Sequence, residues 1–439
     1  MEEKKIYYAQ RARQSAPAPD CPKAYRSQYS ERVNLKGLLS PKGLVSPTRS
    51  LNLNRSLSPF LLLCCTILTF SCSNTDQDSS ENATERTSPE ITLKLHPSDN
   101  NPRNSEGDFI QLNDGRVMFV YSRFYGDSRS DFGSSSLVAR FSDDGGDTWT
   151  HEDITVVPNE GNVNVMSVSL LRLKGGEIAL FYLRKNSMWD CLPTMRIAED
   201  EGHSWSAPRT CITDREGYYV LNNDRVIQLA SGRLLMPVAL HITPEQSKRF
   251  NENGTLYCYY SDDHGLTWTG GAEIENPTGF MTQEPGVVEL KDGRVMMFIR
   301  SDAGRQLVSY SSNAGETWSP VQLSNIVSPL APASIERIPS TGDLLLVWNF
   351  NDETDVRIKG KRTPFNTAIS RDDGQTWTNI QTIAADMDTR YCYTSICFVN
   401  DQVLLGHVAG QYSNGTRNSI THITKLGLDW IYQSSETKM

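Results

Sequence analysis

The chain has 439 residues, of which 38% are hydrophobic and 22% charged, and its formal net charge at pH 7 is −9. This length allows one large domain or two ordinary ones, and the composition is typical of a soluble globular protein. The acidic balance, without a basic stripe interleaved with aromatic residues, argues against a nucleic-acid surface. We therefore expect no nucleic-acid partner.

The first 90 residues differ from the rest of the sequence. Residues 1–56 are rich in Lys, Arg, Ser and Pro and lack hydrophobic periodicity, which predicts a basic disordered leader. Residues 57–72 contain the apolar run LSPFLLLCCTILTF, which has the length of a signal peptide and is short for a bilayer span. Residues 73–90 are polar and are predicted to form a flexible tether, so the folded domain is expected at 91–439.

The sequence around Cys72 resembles a bacterial lipoprotein signal. The resemblance implies cleavage before Cys72, acylation of this residue and export to the cell envelope, with membrane contact only through the lipid. An ordinary secretory signal, giving a periplasmic or secreted protein, and a single membrane anchor are the alternatives. A start site assigned too far upstream would explain the long leader.

Five copies of the pattern S-x-D-x-G-x-x-W recur along the domain, with Ala198 in place of Ser in the second and Asn313 in place of Asp in the fourth, and their tryptophans lie 50 to 63 residues apart. An Asp and a Gly two residues apart favour a tight hairpin turn, and the Trp is expected to bury its ring while its indole N–H finds a carbonyl. We interpret these Asp boxes as structural. Their repetition indicates stacked β units such as propeller blades. The copies are Ser142–Trp149, Ala198–Trp205, Ser261–Trp268, Ser311–Trp318 and Ser370–Trp377.

A turn followed by an apolar, β-rich strand also occurs six times, and a box follows every copy except the last. No amphipathic helix stands out. We predict an all-β, six-bladed β-propeller with Asp-box hairpins, with five or seven blades as alternatives. We take the apolar strands as the inner strands, so that polar residues at their ends face a shared funnel. The copies cover residues 113–123, 174–184, 230–241, 291–300, 340–350 and 400–410.

The region from about residue 100 to 410 resembles the sialidase superfamily. The most specific stretch is QEPGVVEL at 283–290, which continues into DGRVMMFIR. The resemblance implies that Glu284 activates the nucleophile and that Arg300 belongs to a triad of arginines that binds the substrate carboxylate. Arg362, ahead of the last box, matches another triad arginine. Tyr393, in YCYTSI, matches the nucleophilic tyrosine.

The same resemblance implies roles for residues in the first half of the domain. Arg123 ends its strand as a substrate-binding arginine of the family does, and Asp131 falls at the position of the acid/base aspartate. Asp127 lies in the same loop and competes for that assignment. Arg225, in the polar stretch NNDR, is a further candidate for substrate binding.

The first triad position departs from the family pattern, because the usual R-I-P sequence is absent. Arg103 occupies it if one or two residues are inserted, whereas strict alignment places Ser105 or Glu106 there. A glutamate at this position would set a negative charge where a substrate carboxylate should bind. We therefore keep both Arg103 and Glu106 as candidate pocket residues.

The resemblance implies an exo-α-sialidase-like glycoside hydrolase that acts on glycans or glycoconjugates without a metal or organic cofactor. The signal-like segment adds export, and we expect a monomer. Guanidinium groups suit a carboxylate on the anomeric carbon, and a neutral tyrosine avoids the repulsion that a carboxylate nucleophile would meet there. A propeller glycosidase or lyase for a different sugar, or a non-catalytic binding propeller, are the alternatives.

Five cysteines fall inside the domain, without the spacing of a zinc site. One disulfide, Cys191–Cys211 or Cys392–Cys397, is compatible with the sequence, which does not decide between them.

Overall fold

The computed structural model describes residues 88–245 and 250–434, so the predictions made for residues 1–87 lie outside it. These described residues belong to one compact unit, Arg86–Met439. They form 25 β-strands and one short helix, α1 (Leu428–Ile431). Within them, no helix is both long and apolar enough to cross a bilayer. The prediction of an all-β domain is confirmed.

The strands follow one another along the chain, and the connection between Trp348 and Phe365 is among the longest. In chain order, the first thirteen are β1 (Glu90–Leu95), β2 (Asn104–Gln111), β3 (Val117–Phe124), β4 (Ser135–Ser142), β5 (Ile154–Val157), β6 (Asn164–Arg172), β7 (Ile178–Lys185), β8 (Cys191–Ala198), β9 (Arg209–Thr210), β10 (Tyr218–Val220), β11 (Ile227–Gln228), β12 (Leu234–Ile242) and β13 (Thr255–Ser261). The others are β14 (Thr269–Gly270), β15 (Gln283–Glu289), β16 (Val295–Arg300), β17 (Arg305–Ser311), β18 (Gln322–Val327), β19 (Ser334–Arg337), β20 (Leu344–Trp348), β21 (Phe365–Ser370), β22 (Thr378–Ala384), β23 (Thr389–Val399), β24 (Gln402–Gln411) and β25 (Thr421–Gly427).

In the described residues the strands build four four-stranded sheets and one nine-stranded sheet. The four-stranded sheets have the orders β2-β3-β4-β5, β15-β16-β17-β18, β19-β20-β21-β22 and β1-β25-β24-β23. The nine-stranded sheet runs β14-β13-β12-β10-β8-β7-β6, with β9 paired to β8 and β11 to β12. Its two halves join only where β10 pairs with β8, at Tyr218 and Cys191. In the last sheet the N-terminal strand β1 pairs antiparallel with β25, so both ends of the domain share one sheet.

The apolar repeat strands are not the innermost ones, which corrects the prediction. They are β3, β7, β12, β16, β20 and β24, and each is covered by the strand before it and the strand after it. Side chains of β3 alternate between two cores: Phe119 packs in a cluster with Leu404, and Val120 packs in a cluster with Leu180. A strand buried on both faces is mostly apolar, whereas the inner strands carry more polar residues. β2, with the sequence NSEGDFIQ, contacts β6 and β23 of the adjacent sheets, and β19 contacts β15 and β23.

The Asp boxes lie in the turns that follow the third strand of a unit. In the first box Asp144 accepts hydrogen bonds from Thr148 N (2.9 Å) and Ser142 Oγ (2.8 Å), and Ser142 Oγ accepts from Gly146 N (2.7 Å). The bond from the Thr148 hydroxyl is the first cause that holds the pKa of the Asp144 carboxyl down at about 2. Gly146 has φ 95°, a conformation that costs a glycine little. The structural role predicted for the box is therefore visible in its own contacts.

The predicted indole hydrogen bond forms only in some boxes. Trp149 Nε1 donates to Gly146 O at 3.2 Å and Trp318 Nε1 to Gly315 O at 3.0 Å. The Nε1 atoms of Trp268 and Trp377 are buried and have no hydrogen-bond partner in the described part of the chain. For these two boxes the predicted indole hydrogen bond is absent, and the Trp ring is held by its apolar packing alone.

The five cysteines of the described domain, Cys191, Cys211, Cys258, Cys392 and Cys397, are all free. Neither disulfide that the sequence allowed is formed. Cys191 and Cys211 lie in the same apolar cluster, where both thiols act as small hydrophobic groups.

Candidate functional site

A β-bulge interrupts four of the inner strands and gives the site its side chains. The pairing register shifts within β2, β6, β15 and β23. At each shift one non-glycine residue has positive φ: Glu106 (55°), Ser167 (61°), Glu284 (46°) and Tyr393 (55°). This conformation costs a residue with a Cβ about 1–2 kcal/mol of backbone strain. Because it occurs at the same point of four strands, the packing of the surrounding sheets must offset this strain.

Glu284, Tyr393 and Arg300 meet at one carboxylate oxygen. Tyr393 donates its hydroxyl to Glu284 Oε1 at 3.1 Å, and Arg300 Nη1 donates to the same oxygen at 2.7 Å. The three residues come from β23, β15 and β16, and β15 pairs with β16 so that Gln283 lies opposite Arg300. A tyrosine hydroxyl on a carboxylate that is also paired with a guanidinium can be deprotonated as it attacks an electrophile.

Arg362 approaches the same group from the segment before β21. Its guanidinium lies 5.3 Å from the ring centroid of Tyr393, and its Nε donates to Leu330 O at 3.2 Å. Arg362 Nη1 and Arg300 Nε are both buried without a hydrogen-bond partner among the described residues. Buried guanidinium N–H groups need acceptors, so these two atoms suit an anionic group of a ligand.

The protonation of the group follows from its burial and its charges. Burial works to raise the pKa of Glu284, but Arg300 and Arg362 outweigh it, and the net pKa is lowered. Burial, followed by the negative charge of Glu284, raises the pKa of Tyr393 above its usual value. At neutral pH the pair is therefore a neutral tyrosine beside an ionised glutamate.

A second group contains Arg103, Glu106 and Asp131. Arg103 Nη2 lies 2.7 Å from Glu106 Oε1 and its Nη1 lies 2.5 Å from Asp131 Oδ1. Arg103 and Glu106 are buried, and Asp131 keeps 22% of its side chain exposed. Glu106 Oε2 accepts from Ser167 Oγ at 2.5 Å. The sequence left open whether Arg103 or Glu106 takes the first triad position, and the structure brings both to the site as an ion pair.

The two groups lie close together, because Asn223 Nδ2 donates both to the carbonyl oxygen of Gly107, next to Glu106, at 2.9 Å and to that of Tyr393 at 3.2 Å. Burial raises the pKa of Glu106, Arg103 opposes this, and the charges of Asp131 and Glu284 add to it. Of the three residues predicted to be catalytic, Glu284 and Tyr393 are in direct contact, and Asp131 is joined to Glu106 through Arg103.

The ion pair of Arg123 and the hydrogen bonds of Arg225 involve residues outside these two groups. Arg123, at the end of the second strand β3, has its Nε 3.1 Å from Asp153 Oδ2, in a group with Tyr121. Arg225 is buried and donates from Nη2 to Ala333 O at 2.8 Å. Both were singled out by their place at strand ends or in a polar stretch, and in both cases the guanidinium turns to partners within the protein.

Some polar residues at the site carried no signal that we used. Ser167 lies on β6 at the point that corresponds to Glu106 on β2, and comparing the strands before each apolar repeat would have found it. Asp108, Asp224 and Glu336 form a buried acidic group near Arg225, and burial is the first cause that raises the pKa of each. In residues 88–245 and 250–434, no three His, Cys, Asp or Glu side chains are arranged to hold a metal ion.

The chain is similar to several known proteins. The family described as BNR repeat-like domain matches residues 133–408, more than half of the chain. The chain is 30% identical over 209 residues to an anhydrosialidase of Macrobdella decora, covering 45% of this chain and 24% of that protein. It is 34% identical over 128 residues to a sialidase of Micromonospora viridifaciens, covering 27% of this chain and 18% of that protein. Each match spans less than a quarter of the relative's own length.

Among solved structures, the intramolecular trans-sialidase of Ruminococcus gnavus in complex with oseltamivir carboxylate aligns with 78% of this chain and 98% of its own, with a TM-score of 0.60 and 15% identity. At that identity the likeness concerns the fold, and it supports a propeller architecture. Because the repeat family covers most of the folded domain and the relatives are sialidases, the chain belongs to the BNR repeat-like domain family of the sialidase superfamily.

Proposed function

We propose that the protein is an exo-glycosidase that hydrolyses a terminal sialic acid from glycoconjugates with retention of configuration. The observation that carries this proposal is the shared oxygen of Glu284, which accepts from both Tyr393 (3.1 Å) and Arg300 (2.7 Å). Arg300 and Arg362, with buried unpartnered N–H groups, would bind the substrate carboxylate.

In the first step Tyr393 Oη attacks the anomeric carbon and passes its proton to Glu284. The glycosidic C–O bond breaks as Asp131 protonates the leaving oxygen. In the second step Asp131 takes a proton from water, the water oxygen attacks the anomeric carbon, and the bond to Tyr393 breaks. Glu284 then returns the proton to the tyrosine, so the enzyme ends as it began.

The test is a hydrolysis panel on the purified full chain, comparing an aryl sialoside with aryl glycosides of other acidic and neutral sugars. Turnover of the sialoside that is lost in Tyr393→Phe and in Asp131→Asn supports the proposal. Turnover that survives both changes removes the site assignment. No turnover on any substrate favours a binding propeller.

A glycosidase for a different sugar is the second candidate, and the Arg103–Glu106 ion pair favours it. Glu106 uses part of the charge that a third triad arginine would offer to a substrate carboxylate. On a sialoside, Glu106→Gln should lower KM several-fold because a nearby negative charge is removed. An unchanged sialoside KM together with faster turnover of another glycoside would favour the second candidate.

We also infer that the four-stranded sheets, together with the two halves of the nine-stranded sheet, close as six blades. The inner-strand contacts of β2 with β6 and β23, and of β19 with β15 and β23, support this closure. A crystal structure that showed an open array or a different number of blades would refute it.

Export with a lipid anchor at Cys72 is a further part of the proposal, supported by the apolar run at 57–72. Metabolic labelling with a clickable palmitate analogue should mark the wild-type chain expressed in a bacterial host, and Cys72→Ser should abolish the label. Labelling that persists in the variant, or its absence from both chains, would exclude this anchor.

A further inference from the structure

Lys185 is a fully buried cation next to the proposed acid/base residue. It ends β7, and 1% of its surface is exposed. Among the described residues, no carboxylate oxygen lies within ion-pairing distance of its ammonium; Nζ contacts a carbonyl oxygen, a thioether and two aromatic rings. An ammonium without a counter-ion is costly to bury, so its environment must replace water efficiently.

The surrounding side chains place the Lys185 ammonium against one backbone atom of the loop that carries Asp131. Lys185 Nζ donates to the backbone carbonyl oxygen of Asp131 at 2.7 Å, and Met166 Sδ lies 3.5 Å away. The ammonium also lies 4.8 Å from the ring centroid of Phe132 and 5.3 Å from that of Tyr218. The faces of these rings stabilise a cation, so they hold the ammonium against the carbonyl without neutralising it.

Asn164 also holds the backbone of the loop that carries Asp131. It lies opposite Lys185 in the β6–β7 pair and is fully buried. Its Nδ2 donates to the carbonyl oxygens of Asp131 (2.9 Å) and Gly133 (2.7 Å). Three hydrogen bonds from one strand pair thus fix the backbone from which the Asp131 carboxyl group reaches Arg103.

We propose that Lys185 is a positioning residue that, with Asn164, fixes the main chain of Asp131 and thereby sets the orientation of its carboxyl group toward the leaving oxygen. The inference rests on the proposed function for the role of Asp131. The placement of the loop by Lys185 is a separate claim, which can be measured without substrate.

The first experiment is hydrogen exchange of the peptide covering residues 129–134, in wild type, Lys185→Met and a control. Methionine nearly matches lysine in length and suits the aromatic surroundings, so the variant should fold, which its thermal transition would verify. We expect at least a tenfold faster exchange in Lys185→Met. Lys174→Met is the matched control, because the exposed Lys174 also donates to a backbone carbonyl, that of Ala230, away from the site.

The second experiment compares leaving groups. Proton donation matters most when the leaving oxygen is a poor leaving group, so Lys185→Met should lower kcat for an alkyl or disaccharide substrate by about 30-fold or more and for an activated aryl glycoside by less than about threefold. The alkaline limb of the pH profile should move, and Lys185→Arg should restore part of the lost rate. A merely structural role would lower both rates equally.

Unchanged exchange in the 129–134 peptide overturns the proposal whatever the activity, and equal losses on both substrate types overturn it as well. If the wild type hydrolyses nothing while exchange accelerates only in Lys185→Met, the placement by Lys185 stands and the proposed function falls.

Discussion

Tyr393 and Glu284 come from strands more than 100 residues apart in sequence and meet through one hydrogen bond of 3.1 Å between the tyrosine hydroxyl and Oε1 of the carboxylate. Each has a left-handed backbone, with φ 55° and 46°. Two bulged inner strands therefore form the contact on which the proposed chemistry depends.

Removing the hydroxyl of Tyr393 should abolish turnover without unfolding the protein. Tyr393→Phe keeps the ring beneath Arg362 and loses only the nucleophilic oxygen, so we expect kcat to fall by about 10³-fold or more. Steady-state kinetics with an aryl glycoside checks this. Tyr310→Phe, a half-buried tyrosine on β17, is the control and should retain its rate. A Tyr393→Phe enzyme with more than a tenth of wild-type kcat would contradict the nucleophile assignment.

Replacing Arg362 by lysine should weaken binding of an anionic substrate. Lysine keeps the charge but loses the planar fork, so KM should rise about 10- to 100-fold, corresponding to roughly 1.5–3 kcal/mol. The dissociation constant of a carboxylate-bearing inhibitor, measured by calorimetry, should rise by a similar factor. Arg357→Lys, at an exposed position, is the control. Equal affinity in Arg362→Lys would show that Arg362 does not bind the carboxylate.

An Asp box should contribute to stability and leave the chemistry unchanged. Asp372 accepts from Ser370 Oγ, Thr376 N and Thr376 Oγ1, so Asp372→Ala leaves three donors to find other partners. We expect a loss of about 1–3 kcal/mol in the free energy of unfolding, measured with urea, and an unchanged kcat per folded molecule. Asp352→Ala, in an exposed turn, should cost much less. A large fall in kcat for Asp372→Ala would argue against a purely structural box.

Acid should destabilise the domain through the buried His407 and the partly buried His422, which lie opposite each other in the β24–β25 pair. Burial lowers the pKa of His407 from 6.5 to about 4 and that of His422 to about 3. Because the folded state holds them neutral, their stabilisation is fully present above about pH 6.5 and is lost as the pH falls toward 4. For His407 alone the loss is on the order of 3 kcal/mol.

The measurement is the free energy of urea unfolding between pH 4 and 7.5. Wild type should lose stability steeply below pH 6.5, and His407→Gln should flatten that slope, while replacing the exposed His151 by Gln should leave it unchanged. The same slope in His407→Gln and wild type would show that His407 does not control acid stability.

A site residue could be predicted from the sequence where the pattern that identifies it spans only a few neighbouring residues. Glu284 and Arg300 were predicted together because the stretch that resembles the family lies on one hairpin, where register fixes their separation. Arg103 and Glu106 remained alternatives because a bulge changes the count of residues along β2, and the hydrophobic pattern does not reveal a bulge. Arg225 stays a prediction that the sequence could not place more firmly, because in a polar stretch alternation does not indicate which side chains turn toward the interior.

The fold likewise has features that local sequence patterns predict and features that they do not. Boxes and apolar strands predicted a repeated all-β architecture, since turn chemistry and β propensity act over a few residues. The assignment of the inner strand was wrong, because a strand's distance from the centre depends on the packing of whole sheets against one another. Lys185 gave no sequence signal at all, since a lysine ending a strand is ordinarily solvated.

The left-handed residues of the inner strands have a consequence for anyone who redesigns this protein. At Glu106, Ser167, Glu284 and Tyr393 the polypeptide itself prefers glycine or asparagine, while valine or isoleucine would be rejected whatever their polarity. In a saturation library at these codons, the most heat-resistant variants should therefore be those that have lost the side chain facing the site, and Ser167→Gly should be the mildest example. A screen of such a library for thermal stability alone would enrich folded variants that lack the side chains of the proposed site.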